Sequence, residues 1–208
     1  MSFFGKLFGR KPQNESDPRV DVTVWKTGPA FVGAVLFSQF MRGDRVLVSD
    51  KEVQNIVNKT RAAYRDIVEL WVDLYVVWLL RLLSSSVYGG EFARNVMAEA
   101  YGRIAANEDR LPGIEAVAEG IKYWFKVLDG AAQQAIKNPV KMKGEEVPPV
   151  YFIALAFMAR DRSSPYANST SAEFDGWDLE VAVALTEAQD ISKARIDKLL
   201  QDAGRPPR

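Results

Sequence analysis

Apolar positions along this chain fall mostly at intervals of three and four, the spacing of residues on one side of an α-helix. The pattern is densest at Ile67–Leu83 (IVELWVDLYVVWLLRLL), within a stretch from Ser49 to Ser86 around which the rest of the chain is expected to pack. Val53, Ile56/Val57, Tyr64, Ile67/Val68, Trp71, Leu74/Tyr75, Trp78 and Leu82 define its apolar face. Glu52, Lys59, Asp66 and Asp73 recur at sevens and mark the wet one. Continued past Asp73, the wet face meets Val77 and Leu80, so the helix is expected to be exposed at its start and surrounded at its end. The start itself is well marked. Ser49 and Glu52 have the spacing of a capping box, in which each side chain satisfies the other residue's orphan N–H, and Val48 and Val53 are placed as a hydrophobic staple. A helix should begin at about Asp50. With no glycine or proline before Gly89, it could run for roughly 50 Å.

The same reading places further helices on either side. Gly28-Pro29 stops an extended segment and Pro29 suits a first helical position. Ala30–Met41 is apolar nearly all round and predicts a short buried helix ending at Gly43, with Gly33 allowing a close crossing. After a turn at Tyr88-Gly89-Gly90, helical spacing resumes over Glu91–Asn107 through Phe92, Val96, Ala100, Tyr101 and Ile104. Ile114–Lys137 offers Ile114, Val117, Ile121, Trp124/Phe125, Leu128, Ala132 and Ile136, although Gly120 and Gly130 each cost about 1 kcal/mol against alanine and mark places to bend. Asn138–Pro149 reads as a loop, Val150–Ala159 as a core helix, and Asp161–Trp177 as the longest irregular segment. Asp178–Ala203 closes the set through Leu179, Val181/Ala182, Leu185, Ile191, Ile196 and Leu199/Leu200. Strand alternation occurs only at Val20, Val22 and Val24, and Arg45–Val48 is the nearby candidate to pair with it.

The fold class that follows is all-α: a single-domain bundle of five to six main helices around a long central helix, with at most a minor two-stranded pairing. Residues 1–19 read as a flexible basic N-terminal segment, 20–204 as the helical domain, and 205–208 as a disordered tail. A membrane span is not expected. Spanning needs about 20 mainly apolar residues, whereas the uncharged run Leu74–Leu80 is bounded by Asp73 and Arg81. Arg81, carried into the core, requires a carboxylate or several carbonyls.

Composition narrows the chemistry. The 208 residues contain no cysteine and no histidine, which removes thiol catalysis, the serine–histidine triad and nearly all zinc and di-iron ligand sets. Neither a GxGxxG unit nor a GxxxxGK[ST] loop occurs. Formal net charge is zero, so no global field draws nucleic acid, and nucleic acid is not an expected partner. Both ends are nonetheless basic, leaving 18 basic against 23 acidic residues over 20–192. Leu185–Ala203 could divide at Asp190-Ile191 into two short helices, with Ser192 as a cap and Lys193, Arg195 and Lys198 exposed, but its turn lacks the usual glycine of a DNA-reading pair.

Two constellations remain. Asp66, Glu69 and Asp73 stand at i, i+3 and i+7, so their carboxylates can point one way; with Glu115 and Glu119 on a second helix, such a row could hold Mg²⁺ for phosphoryl or nucleotide hydrolysis. The plainer reading is two solvated helix faces. The second constellation is Met1–Lys11, where Phe3, Phe4, Leu7 and Phe8 form an apolar patch and Lys6, Arg10 and Lys11 can meet anionic head groups. Against that, Gly5 and Gly9 disfavour a helix, and a disordered tail or docking of the phenylalanines on the body or on a second copy of the chain is preferred. The expectation for function is a non-catalytic cytoplasmic interaction protein of bacterial style, able to self-associate and meeting a protein partner the sequence does not identify. A Mg²⁺-dependent hydrolase and a peripheral protein on an anionic membrane surface stand as alternatives, with no other cofactor implied.

Overall fold

The computed structural model describes residues 28–40, 45–106, 114–142, 145–168 and 176–204. Among these described residues are six α-helices, which account for more than half of the chain: α1 (Gly28–Phe40), α2 (Asp50–Val57), α3 (Arg65–Ala105), α4 (Ile114–Lys137), α5 (Pro149–Arg160) and α6 (Trp177–Ala203). They form one all-α domain. The Val20–Val24 alternation, the N-terminal patch and the 205–208 tail lie outside the described residues.

The helix expected to run on from Asp50 is two helices. Its start is as read: Ser49 Oγ accepts from Glu52 N, the Glu52 carboxylate accepts from Ser49 N, and Val48 and Val53 are fully buried. At Asn58 the chain leaves the helix. Lys59 N and Thr60 N turn back to Ile56 O and Val57 O, Thr60 Oγ1 also donates to Val57 O, and Arg61 N donates to the Glu180 carboxylate. Threonine competes for backbone groups in this way, and no apolar spacing records it. A 3₁₀ turn at Ala62–Tyr64 then leads into α3.

Within α3, every residue from Trp71 to Leu80 is buried. The helix does not end surrounded, however, because Leu82, Val87 and Tyr88 emerge again. Gly89, with φ 86° and ψ 169°, breaks α3 into limbs 65–88 and 90–105. Only glycine adopts that backbone without strain. Met97 and Tyr101 of the second limb are thereby brought to the same pocket as Arg81 of the first.

Helix α1 lies across α3, and Gly33 is the reason it fits: a Cβ there would stand 2.7 Å from Val96 O and 2.8 Å from Glu99 Cβ. Arg45–Val48 is no strand. Gln39, itself fully buried, accepts from Leu47 N and Val48 N and donates to Val48 O, so one side-chain amide satisfies the groups a sheet neighbour would have used. Two-stranded pairing occurs instead in the segment expected to be a loop, where Lys141–Met142 runs antiparallel to Glu145–Glu146.

Aromatic side chains knit four helices together. The Trp71 ring of α3 lies 5.4 Å from Phe157 of α5 and 5.6 Å from Trp177 of α6, and Trp124 of α4 lies 5.1 Å from Phe157. Trp71 Nε1 donates to Asp161 Oδ2 at 2.8 Å, so the one polar atom of that ring is satisfied at the edge of the core. Helix α6 is continuous. Ser192, expected to cap a second short helix, is buried and donates to Gln189 O, while Lys193 pairs with Asp197. Three ion pairs join α6 to the 52–61 segment in opposite order: Glu180 to Arg61, Glu187 to Lys59, and Arg195 to Glu52.

Candidate functional site

The acidic row of α3 is the first place to look for chemistry. Asp66 is exposed, and the other two members are engaged with an arginine. Arg45, from the connection between α1 and α2, places Nη2 2.5 Å from Asp73 Oδ2 and 3.1 Å from Glu69 Oε1, while its Nη1 reaches Asp50 at 2.9 Å. Asp73 was expected on the wet face, yet it is 1 % exposed. Burial works against the charge on Arg45, but Asp73, Glu69 and Asp50 more than offset it and hold its pKa above the usual value. Gln39 completes the cluster by donating to Asp73 Oδ1 at 3.3 Å. Glu119, the described member of the second acidic row, is elsewhere, paired with Lys122 on its own helix. Among the described residues, no three acidic side chains gather as a metal site requires. Glu69, Asp73 and Arg45 form an internal electrostatic clasp, holding the α1–α2 connection onto α3.

A second polar cluster involves Arg81. It finds the carboxylate that its position demands: Nη2 donates to Asp129 Oδ1, which also accepts from Trp78 Nε1 at 2.8 Å. The guanidinium carbon stands 5.1 Å over the Phe125 ring. These residues, with Met97, Tyr101, Lys122, Lys126, Gly130 and Gln133, line an open pocket of about 540 Å³ between both limbs of α3 and one face of α4. Burial, with Glu119 adding to it, pushes the Tyr101 phenol up to about 12, so it is a neutral donor at any physiological pH. Sequence reasoning passed over this site. Its trace is the run Lys122, Lys126, Asp129 and Gln133 at spacings of four, three and four, a polar stripe on a helix that was read for its apolar face alone.

A third feature is apolar. Leu179 and Val183, one turn apart on α6, are 57 % and 60 % exposed. Leu179 was expected in the core, as was Ile136, which is 74 % exposed. The three-and-four spacing assigned each to the wider apolar stripe, but the helix partners cover only its centre. The contact residues proposed near the N-terminus, Phe3, Phe4, Lys6, Leu7, Phe8 and Arg10, lie outside the described residues.

No described helix is long and apolar enough to cross a membrane. What the architecture defines is an all-α domain with a long, broken central helix. No family model matches the chain, and neither a curated protein nor a solved structure is significantly similar to it.

Proposed function

We propose that this protein is a non-catalytic, cytoplasmic interaction protein that associates with a second copy of itself through α6. The observation that carries the reading is the exposed pair Leu179 and Val183 on one face of that helix. The acidic side chain between them, Glu180, is turned aside into its pair with Arg61, so the face is free of charge at its centre. An uncharged apolar face suits an isologous contact, because a two-fold axis sets each residue against the same face of the partner and any charge there would meet its like. Two turns of helix bury far less than the roughly 800 Å² per partner of a standard interface, so the association is weak and depends on concentration. The placement of the likeliest catalytic groups agrees with a non-catalytic role, since Glu69 and Asp73 are both in contact with Arg45.

Light scattering over a wide range of protein concentration tests this. The mass should climb from monomer toward dimer in the wild type and stay at monomer for Val183→Lys, a change on an exposed helical position that leaves the fold intact. A wild type that remains monomeric at the highest soluble concentration defeats the proposal.

A further inference from the structure

The pocket between α3 and α4 has a chemistry of its own, independent of the α6 face. Its lining carries three cations, Arg81, Lys122 and Lys126, against one carboxylate, Asp129. Lys122 is balanced by Glu119 outside the lining and lies 5.2 Å from the Tyr101 ring centroid. Asp129 is balanced by Arg81. Lys126 has no ion pair among the described residues, so one positive charge is left over. Arg81 is also incompletely used. Its Nε–H is buried without a hydrogen-bond partner, a condition that native structures usually relieve with a ligand, an ion or water. Apart from Gly130 and the amide of Gln133, the remaining walls are apolar or aromatic, formed by Met97, Phe125 and the Tyr101 ring. A pocket with apolar walls, a few convergent polar groups and one surplus charge is the usual form of a small-molecule site.

We propose that this pocket binds a small organic anion, its oxyanion head, a carboxylate or phosphate, held by Lys126 and Arg81 and its apolar body resting on Met97, Phe125 and Tyr101. Arginine supplies a planar fork for oxygen pairs and lysine a mobile point charge, so the two heads share one recognition chemistry. Asp129 fixes the guanidinium in place before any ligand arrives, which removes the ordering that a free arginine would need. Trp78, bonded to the same Asp129 oxygen, is positioned to report occupancy.

Titration of the full chain with phenyl phosphate and benzoate, followed by tryptophan fluorescence and by calorimetry, tests the proposal. The expected result is saturable one-to-one binding of at least one of them, weakened about tenfold in Lys126→Met as a charge-assisted hydrogen bond is lost, and unchanged in Lys59→Met, an exposed lysine in the turn after α2 that does not line the pocket. Inorganic phosphate and acetate should bind more weakly than their aromatic counterparts, because they leave the apolar walls uncovered. Three outcomes overturn the idea: no saturable binding at millimolar ligand, equal binding by Lys126→Met, or inorganic phosphate matching phenyl phosphate. Neither result alters the mass seen in light scattering, so this site and the α6 contact stand or fall separately.

Discussion

Arg45 and Asp73 form a buried ion pair, Nη2 to Oδ2 at 2.5 Å, with each side chain only 2 % exposed. They come from a loop and from the N-terminal half of the longest described helix, so the pair fixes how the two elements meet. Removing one partner leaves the other charged and dry, which costs about 3–5 kcal/mol, whereas replacing both with apolar groups of like volume is close to neutral. Arg45→Met should therefore lower stability in urea by that amount. Arg45→Met with Asp73→Leu should recover most of it. A double variant as unstable as the single one would show that the pair is needed for more than charge balance.

Glu52 supplies the clearest pH dependence. The two-pronged hydrogen bond from Arg195, aided by Ser49, draws its carboxyl from 4.5 down to about 2. The folded state holds this proton less tightly than the unfolded chain, so the stabilisation is complete above about pH 5 and fades as pH falls toward 2. Solvent screening at this partly exposed site reduces the effect to on the order of 1–2 kcal/mol. Glu52→Gln should flatten the pH profile of urea stability by that amount over this window. An unchanged profile would place the titration elsewhere.

Gly33 is expected to tolerate no side chain. Alanine there gains about 1 kcal/mol of helix propensity, but its Cβ would press on the Val96 carbonyl at 2.7 Å, backbone that cannot swing away. Overpacking of this kind costs about 1–3 kcal/mol and prevails. Thermal unfolding of Gly33→Ala should show a lowered Tm, and a raised one would mean that α1 moves freely off α3.

At Gly89 the strain is purely in the backbone, since no atom lies within 4 Å of a Cβ built there. Gly89→Ala should lose about 1–3 kcal/mol. A D-alanine at the same position, introduced by semisynthesis, finds the mirror-image conformation comfortable and should restore stability. Equal losses for both enantiomers would point to an unseen contact.

Much of the architecture was legible because it depends on local chemistry. The capping box at Ser49, the buried run from Leu74 to Leu80, the turn at Gly89 and the close approach at Gly33 are each written in adjacent residues. What escaped was decided between distant ones. Nothing near Asp73 announces that Arg45 will cover it, so a periodic acid looked wet; nothing near Asn58 announces Glu180, so the helix looked continuous. Arg45–Val48, a candidate strand partner, has the backbone groups of Leu47 and Val48 taken instead by one glutamine, Gln39, from the preceding helix. Arg81 lies between these cases. Its position demanded a carboxylate, and Asp129 provides it, but the pocket around the pair needed three helix faces to be known at once.

The ladder of Glu180–Arg61, Glu187–Lys59 and Arg195–Glu52 ties the last described helix to the 52–61 segment across more than a hundred residues. During synthesis, the partners at 52–61 leave the ribosome first and wait for α6. Their contacts raise the mean sequence separation of the fold, which slows completion of the native state relative to a bundle built from neighbouring hairpins. Until then, Trp71 lacks Trp177 and the growing chain shows an aromatic surface of the kind chaperones recognise. Salt should act on the finishing step through these exposed pairs, slowing the docking of α6 while sparing the helices that precede it.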